Sequence, residues 1–283
     1  MSFPLRFCGI FPTSTLIAST ELTILQDGLD WVAVAKPAGL ATIPGRDEDD
    51  TVLERLARQL GLPATGSADP RVRVVHRLDK DTSGVLLFAT CSAAQRFLSH
   101  QFQNNATEKQ YLALVAGRPV TNEGEIDAPL ARHPADPRRM AVVTHGGRPA
   151  RTAWKVEQRF PRANLALLRV FPRTGKTHQI RVHLAHVGLP LAIDPLYNPR
   201  GGTAHPRDAG PKRQGPGIYL SSFKRDYHPN RGQDEFPLIA RLTLHAEVLA
   251  FDPPGGGERV RVNCPLPKDF RATINQLSRH GAG

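Results

Sequence analysis

The sequence predicts an α+β domain: a mainly antiparallel mixed sheet with flanking helices. Strand-like runs arrive in hairpin-like pairs, residues 22–25 with 31–35 and 151–160 with 165–171. Helical periodicity intervenes in only a few short stretches, too rarely for the strict alternation of a parallel sheet. A chain of 283 residues is large for one domain but can bury about three quarters of its unfolded surface. The expected layout is an N-terminal extension over residues 1–20 and one domain over 21–283, interrupted by an insertion near 198–238.

The composition, 40% apolar and 22% charged, is that of a soluble globular protein. No apolar run reaches the roughly 18 residues of a membrane span, and the first residues lack the basic-then-apolar order of a secretory signal. Cys8, Cys91 and Cys264 are far apart and odd in number. They suggest neither a disulfide framework nor a zinc knuckle, and a reducing cytoplasm is expected. A formal charge of +11 points to a polyanionic partner, and the lack of an apolar span to no membrane.

In chain order, residues 21–45 read as a β-unit: a strand, a turn at Asp27-Gly28, a second strand, then the turn K-P-A-G-L from Lys36 to Leu40. Residues 51–60 form a helix. Thr51 and Glu54 make a capping box, Leu53, Leu56 and Leu60 share a face, and Gly61 stops it. Val72, Val74 and Val75 read as the end of a buried strand, and the apolar run 85–89 as another. A second helix follows, capped by Ser92 with Gln95, with Ala94, Phe97, Leu98 and Phe102 on one face. Residues 108–117 alternate as a strand that sets Tyr111 on the face opposite Gln110 and Leu112.

Residues 118–151 are loop-rich and basic, with five arginines against Asp136 from Arg132 onward. They read either as a solvated loop or as a ribbon gripping RNA between two strands, a role that suits arginine's bidentate match to phosphate. In 172–188, Gly175-Lys176-Thr177 imitates the end of a phosphate-binding loop, but residue 170 is Val where that loop needs glycine. His178, His183 and His186 offer a metal cluster, and hence a metal-dependent hydrolase. No carboxylate or cysteine joins them at ligand spacing, so no metal is expected. Ile180, Leu184 and Val187 form the buried face of a short helix ending at Gly188, and Arg181 beside that face needs a partner. The insertion 198–238 is rich in Pro, Gly and Arg and too poor in apolar residues for a core of its own; Tyr219, Phe223 and Tyr227 are its expected anchors. Strands at 241–251 and 259–264 and a helix at 268–278 close the chain.

The polar loop from His76 to Gly84 lies between two of these strands, a rigid mount for reactive groups. Asp79, between Arg77 and Lys80, is either a carboxylate capping the loop through Thr82 or Ser83 or a reactive one. H-R-L-D-x-x-T-S-G over these residues resembles the signature of the RluA-type RNA pseudouridine synthases. K-P-A-G-L at 36–40, K-x-Y-x-A-L-V-x-G at 109–117 and T-G-K-T-H-Q-I-R-V-H at 174–183 resemble further motifs of that family, with Lys176 where it often has arginine.

The resemblance implies the pseudouridine synthase fold with a central RNA-binding cleft, and isomerisation of uridine in ribosomal or transfer RNA. Asp79 would be the catalytic carboxylate, Arg181 its partner and Tyr111 the platform under the target base. Arg77 would fill the gap left by a flipped base, His76 and Ile180 would meet substrate, and Arg138 and Arg139 would meet phosphate. The reaction has no redox change or leaving group, so no cofactor is expected. RNA is the expected partner and a monomer the expected state, with no S4-type RNA-binding domain before residue 20. A catalytically silent RNA-binding protein of the same fold is the alternative.

Overall fold

The computed structural model describes residues 21–45, 49–64, 69–199, 201, 215–227 and 234–282. The expected extension and parts of the insertion lie outside these residues. The chain opens with β1 (Thr23–Gly28) and β2 (Trp31–Lys36), an antiparallel hairpin turned at Leu29-Asp30, where Asp30 takes φ 63°. Trp31 anchors it, edge-on to Phe251 at 5.1 Å. The first helix, α1 (Val52–Leu60), has the predicted ends: Thr51 Oγ1 accepts the Glu54 N–H, and Gly61 is left-handed.

β3 (Arg73–Val74) is a half-buried two-residue bridge rather than the buried strand expected there, because it pairs only with the far end of the next strand, β4 (Ser83–Ala89). β4 is buried along its whole length. In α2 (Ser92–Gln103) the cap is Cys91, whose sulfur accepts the Ala94 N–H, one residue before the expected Ser92. Gln101 turns inward to bond both Asp252 N–H and C=O, while Phe97 stays exposed, so the buried face is rotated from the one expected.

β5 (Glu108–Ala116) is followed by β6 (Glu123–Asp127), a strand inside the stretch expected to be loop. β7 (Leu130–Arg132) and β8 (Met140–Val142) make a separate two-stranded ribbon. Then come β9 (Arg151–Phe160), β10 (Leu165–Pro172) and α3 (Gln179–His186). Ile180 and Leu184 of α3 are buried as expected, but Val187 lies past its last turn and is exposed. The insertion does not stay apart from the core: Ile218 and Phe223 pack with Leu112, Leu114 and Phe270. The chain ends with β11 (Leu244–Phe251), β12 (Val260–Asn263) and α4 (Lys268–His280).

The main sheet has ten strands in the order β1-β2-β4-β11-β5-β10-β9-β6, with β3 beside β4 and β12 beside β11. Among the described residues only β4 and β11 run parallel, joined at Ser83–His245 and Gly84–Ala246. Gly84 has φ 131°, and a Cβ there would run into the Ala246 backbone, so only glycine lets the two strands approach. Tyr111 of β5 pairs with the same Ala246 from the other side. The loop 76–82 and the strand carrying Tyr111 therefore open onto one end of the sheet, and α3 packs beside them.

Candidate active site

Asp79 stands on a loop fixed from below by residues 36–42. Thr42 Oγ1 donates to Leu78 C=O at 3.1 Å and accepts Leu78 N–H, while Gly39 N–H donates to Lys80 C=O at 3.0 Å. The Lys36 side chain, 2% exposed, donates to the carbonyls of Pro37, Lys80 and Thr82 at 2.8, 2.6 and 2.8 Å. Burial lowers the Lys36 pKa to about 7 while Asp81 and Asp79 oppose the shift. The backbone carbonyl of Asp79, not its carboxylate, accepts the Thr82 N–H at 3.1 Å, which leaves the carboxylate for the cleft.

That carboxylate meets Arg181, whose Nη1 donates to Asp79 Oδ2 at 3.0 Å. The rest of the guanidinium belongs to Asp194: Nε and Nη2 each donate to one of its oxygens at 2.8 Å. Burial works against the Arg181 charge, and the two carboxylates more than compensate, raising its pKa above the ordinary arginine value. Asp194 Oδ1 also accepts the N–H groups of Leu196 and Tyr197, the Asx-type turn that aims the Tyr197 ring. His178 begins α3 in a left-handed conformation, φ 55°. Its Nε2 lies 3.8 Å from Asp79 Oδ2 and its Nδ1 2.9 Å from the Tyr197 hydroxyl. Burial, with Arg181 nearby, lowers the His178 pKa against the pull of Asp79.

A cleft of about 420 Å³ opens over this pair, lined by Arg77, Asp79, Thr177, His178 and Arg181 among others. At its base a smaller cavity of about 80 Å³ brings Tyr111, Ile180 and Leu244 against Asp79 and Arg181. Burial, with a smaller contribution from Asp79, raises the Tyr111 pKa, so its hydroxyl stays protonated. The structure thus gathers Asp79, Arg181, Tyr111, Arg77 and Ile180 in one place.

It does not gather the others. His76 lines neither cavity: its Nε2 accepts the Leu87 N–H at 3.0 Å, and its ring stacks on Phe102 at 4.3 Å. Desolvation lowers its pKa to about 3, which makes it a neutral packing group. Arg138, 75% exposed, pairs with Asp136 on the ribbon, whereas Arg139 lays its guanidinium 5.3 Å from the Tyr197 ring centroid. His183 is bonded to Thr152 Oγ1 and Ala128 C=O, and no three-residue metal cluster occurs among the described residues. Lys36, Asp194 and Tyr197 went unrecognised in the sequence as site residues. Lys36 opens the K-P-A-G-L string, but nothing in that string marks its side chain as a support for the Asp79 loop.

Comparison with known proteins agrees with this geometry. Residues 30–186 match the family described as RNA pseudouridylate synthase. The chain is 38% identical over 263 residues to ribosomal large subunit pseudouridine synthase D of Xanthomonas campestris, covering 92% of this chain and 71% of that protein. It is 32% identical over 270 residues to ribosomal large subunit pseudouridine synthase C of Escherichia coli, covering 95% and 74%. The solved structure of human RNA pseudouridylate synthase domain containing 4 matches with a TM-score of 0.61 at 25% identity, over 90% of this chain and 93% of that one. The four motifs, the mixed sheet with its cleft and these relatives agree: the chain belongs to the RNA pseudouridylate synthase family of isomerases.

Proposed function

We propose that the protein isomerises uridine to pseudouridine in large-subunit ribosomal RNA, with Asp79 as the catalytic carboxylate. The observation that carries this reading is the Asp79–Arg181 contact at 3.0 Å, half-buried at the base of a cleft beside Tyr111. A uridine reaches such a carboxylate only by leaving its stack, at a cost of a few kcal/mol. The Tyr111 ring offers the flipped uracil a face, and Arg77 at the cleft mouth takes the vacated position. Asp79 then acts on the ribose as nucleophile or base. The N1–C1′ bond breaks, the uracil turns, a C5–C1′ bond forms, the C5 proton leaves to solvent and N1 takes up a proton, so the product is an isomer of the substrate. Arg181 keeps the carboxylate aimed throughout.

The ribbon of β7 and β8 carries exposed cationic groups, with Arg138 as the phosphate contact. Cys91 and Cys264 are free thiols, which suits a reducing cytoplasm. No helix among the described residues is long and apolar enough to cross a membrane.

An unmodified large-subunit RNA transcript carrying 5-tritiated uridine tests the proposal. The protein should release tritium, and Asp79→Asn should bind the transcript as tightly while releasing none. Binding without release by the unaltered chain would make it the silent RNA-binding alternative. Release by Asp79→Asn would remove Asp79 from the reaction.

A further inference from the structure

Tyr197 touches both the ribbon and the groups around Asp79. On the ribbon side its hydroxyl oxygen accepts the Met140 N–H at 2.8 Å, and the Arg139 guanidinium carbon stands 5.3 Å from its ring centroid. On the cleft side the Arg181 guanidinium carbon stands 5.1 Å from that centroid, and the hydroxyl lies 2.9 Å from His178 Nδ1. Since the oxygen already accepts from Met140, its own hydrogen is free to donate to Nδ1. That donation keeps the proton of the neutral His178 ring on Nε2, the nitrogen 3.8 Å from Asp79 Oδ2. Arg139 Nε is buried with no hydrogen-bond partner among the described residues, and its guanidinium rests against the Tyr197 ring face. Met140 and Val142 of the ribbon pack with Val182 of α3 in one cluster with the same tyrosine.

We infer that Tyr197 is a positioning residue that transmits the seating of RNA on the β7–β8 ribbon to His178 and the Arg181–Asp79 pair. The inference rests on the proposed function for its RNA but not for its geometry. A phosphate drawn to Arg138 and Arg139 pulls on a cation stacked against Tyr197, and Tyr197 in turn sets the His178 tautomer and covers the outer face of Arg181. Asp79 is then fully aligned only when the ribbon is occupied, which confines reaction to RNA long enough to reach both places.

Tyr197→Phe keeps the ring, and with it both cation–π contacts, but removes the hydroxyl that bonds His178 and Met140. Tritium release under single-turnover conditions at saturating transcript should fall on the order of tenfold to a hundredfold, the range for a misplaced reacting group. RNA affinity and melting temperature should stay near those of the unaltered chain. Arg139→Ala should lower the same rate alone but add little in the Tyr197→Phe background. Independent losses that multiply in the double variant would overturn the inference.

A second measurement does not depend on activity. With histidine labelled for NMR, inorganic tripolyphosphate, which offers phosphate to the ribbon but no base to the cleft, should shift the His178 ring resonances in the unaltered chain and leave them in place in Tyr197→Phe. A shift that persists in Tyr197→Phe, or none in the unaltered chain, would also overturn it. Failure of the unaltered chain to release tritium would instead count against the proposed function, leaving the NMR result to decide the coupling.

Discussion

Arg181 gives two nitrogens to Asp194 and one to Asp79. Asp194, 13 residues further along and with a fully buried side chain, fixes the plane of the guanidinium, and Asp79 receives what is left over. The ion pair at the base of the cleft is therefore one end of a three-membered chain of charges. This matters for its orientation, because a guanidinium held by a bidentate contact cannot swing to follow a mobile carboxylate.

Asp194→Asn keeps the shape of this support but removes its charge, leaving Arg181 buried with Asp79 alone. Unfolding stability should fall by about 3 to 5 kcal/mol, the cost of breaking a buried pair. Single-turnover release should fall with it at temperatures where the variant is folded. Urea unfolding and tritium release check the two effects. An unchanged midpoint would mean that Asp194 does not carry the guanidinium.

Arg181→Lys retains a charge but cannot serve both carboxylates, since an ammonium lacks the planar fork. Release should drop steeply while transcript binding changes little. A variant with normal rate would show that the Asp79–Arg181 contact is dispensable.

Tyr111→Phe should bind substrate nearly as well as the unaltered chain, because the ring supplies the stacking. Tyr111→Ala should lose about 1 to 3 kcal/mol of it, read from the apparent affinity for transcript. Equal behaviour of Phe and Ala variants would assign the hydroxyl, kept protonated by burial and by Asp79, a part in the chemistry.

His76 makes acid destabilising. Its folded pKa of about 3 lies below the unfolded value of 6.5, so between these pH values the unfolded chain binds a proton that the folded one refuses. Stability is therefore retained above 6.5 and declines as pH falls, by up to about 1.4 kcal/mol per pH unit for one proton. His76→Gln should flatten the slope measured by urea unfolding between pH 6.5 and 5. An unaltered slope would place the linked proton elsewhere, at His183 or His245, whose pKa values burial also lowers.

Arg138→Ala removes one exposed cation from the ribbon. The slope of log K against log salt should become shallower by about 0.7 for a single-stranded contact, with binding weakened alike across RNA sequences. An unchanged slope would mean that Arg138 serves only Asp136.

The strands and helices that carry a complete local pattern were legible, such as α1 with its cap, apolar face and glycine stop. So was the grouping of Asp79, Tyr111 and Arg181, which contiguous motifs carry and which the fold brings together. The supporting residues were not, because what they do depends on partners distant in sequence. Nothing near Lys36 says that it is buried, and lysine is almost never fully buried unless its charge is satisfied. Asp194 reads as an ordinary turn residue until Arg181 is brought against it. His76 sits within the signature but faces β4 and α2, since membership of a motif does not say which way a ring points. Phe97 and Leu98 were expected on one buried face, yet a single step of about 100° around the helix separates exposed from buried.

The place of β11 in the sheet sets a schedule for the newly made chain. Ala246 is paired with Gly84 on one side and Tyr111 on the other, so it spaces the Asp79 loop from the base platform. Ser83 and its partner His245 are 162 residues apart. While the chain is emerging from the ribosome, the motifs bearing Asp79, Tyr111 and Arg181 are all complete long before the strand that sets their spacing exists. The earlier segments can form hairpins and helices on their own, but a working cleft waits for nearly the last strand, and such distant pairing makes that step slow. A chain cut short before residue 244 carries Asp79, Tyr111 and Arg181 but lacks the strand that lies between the Asp79 loop and the strand of Tyr111.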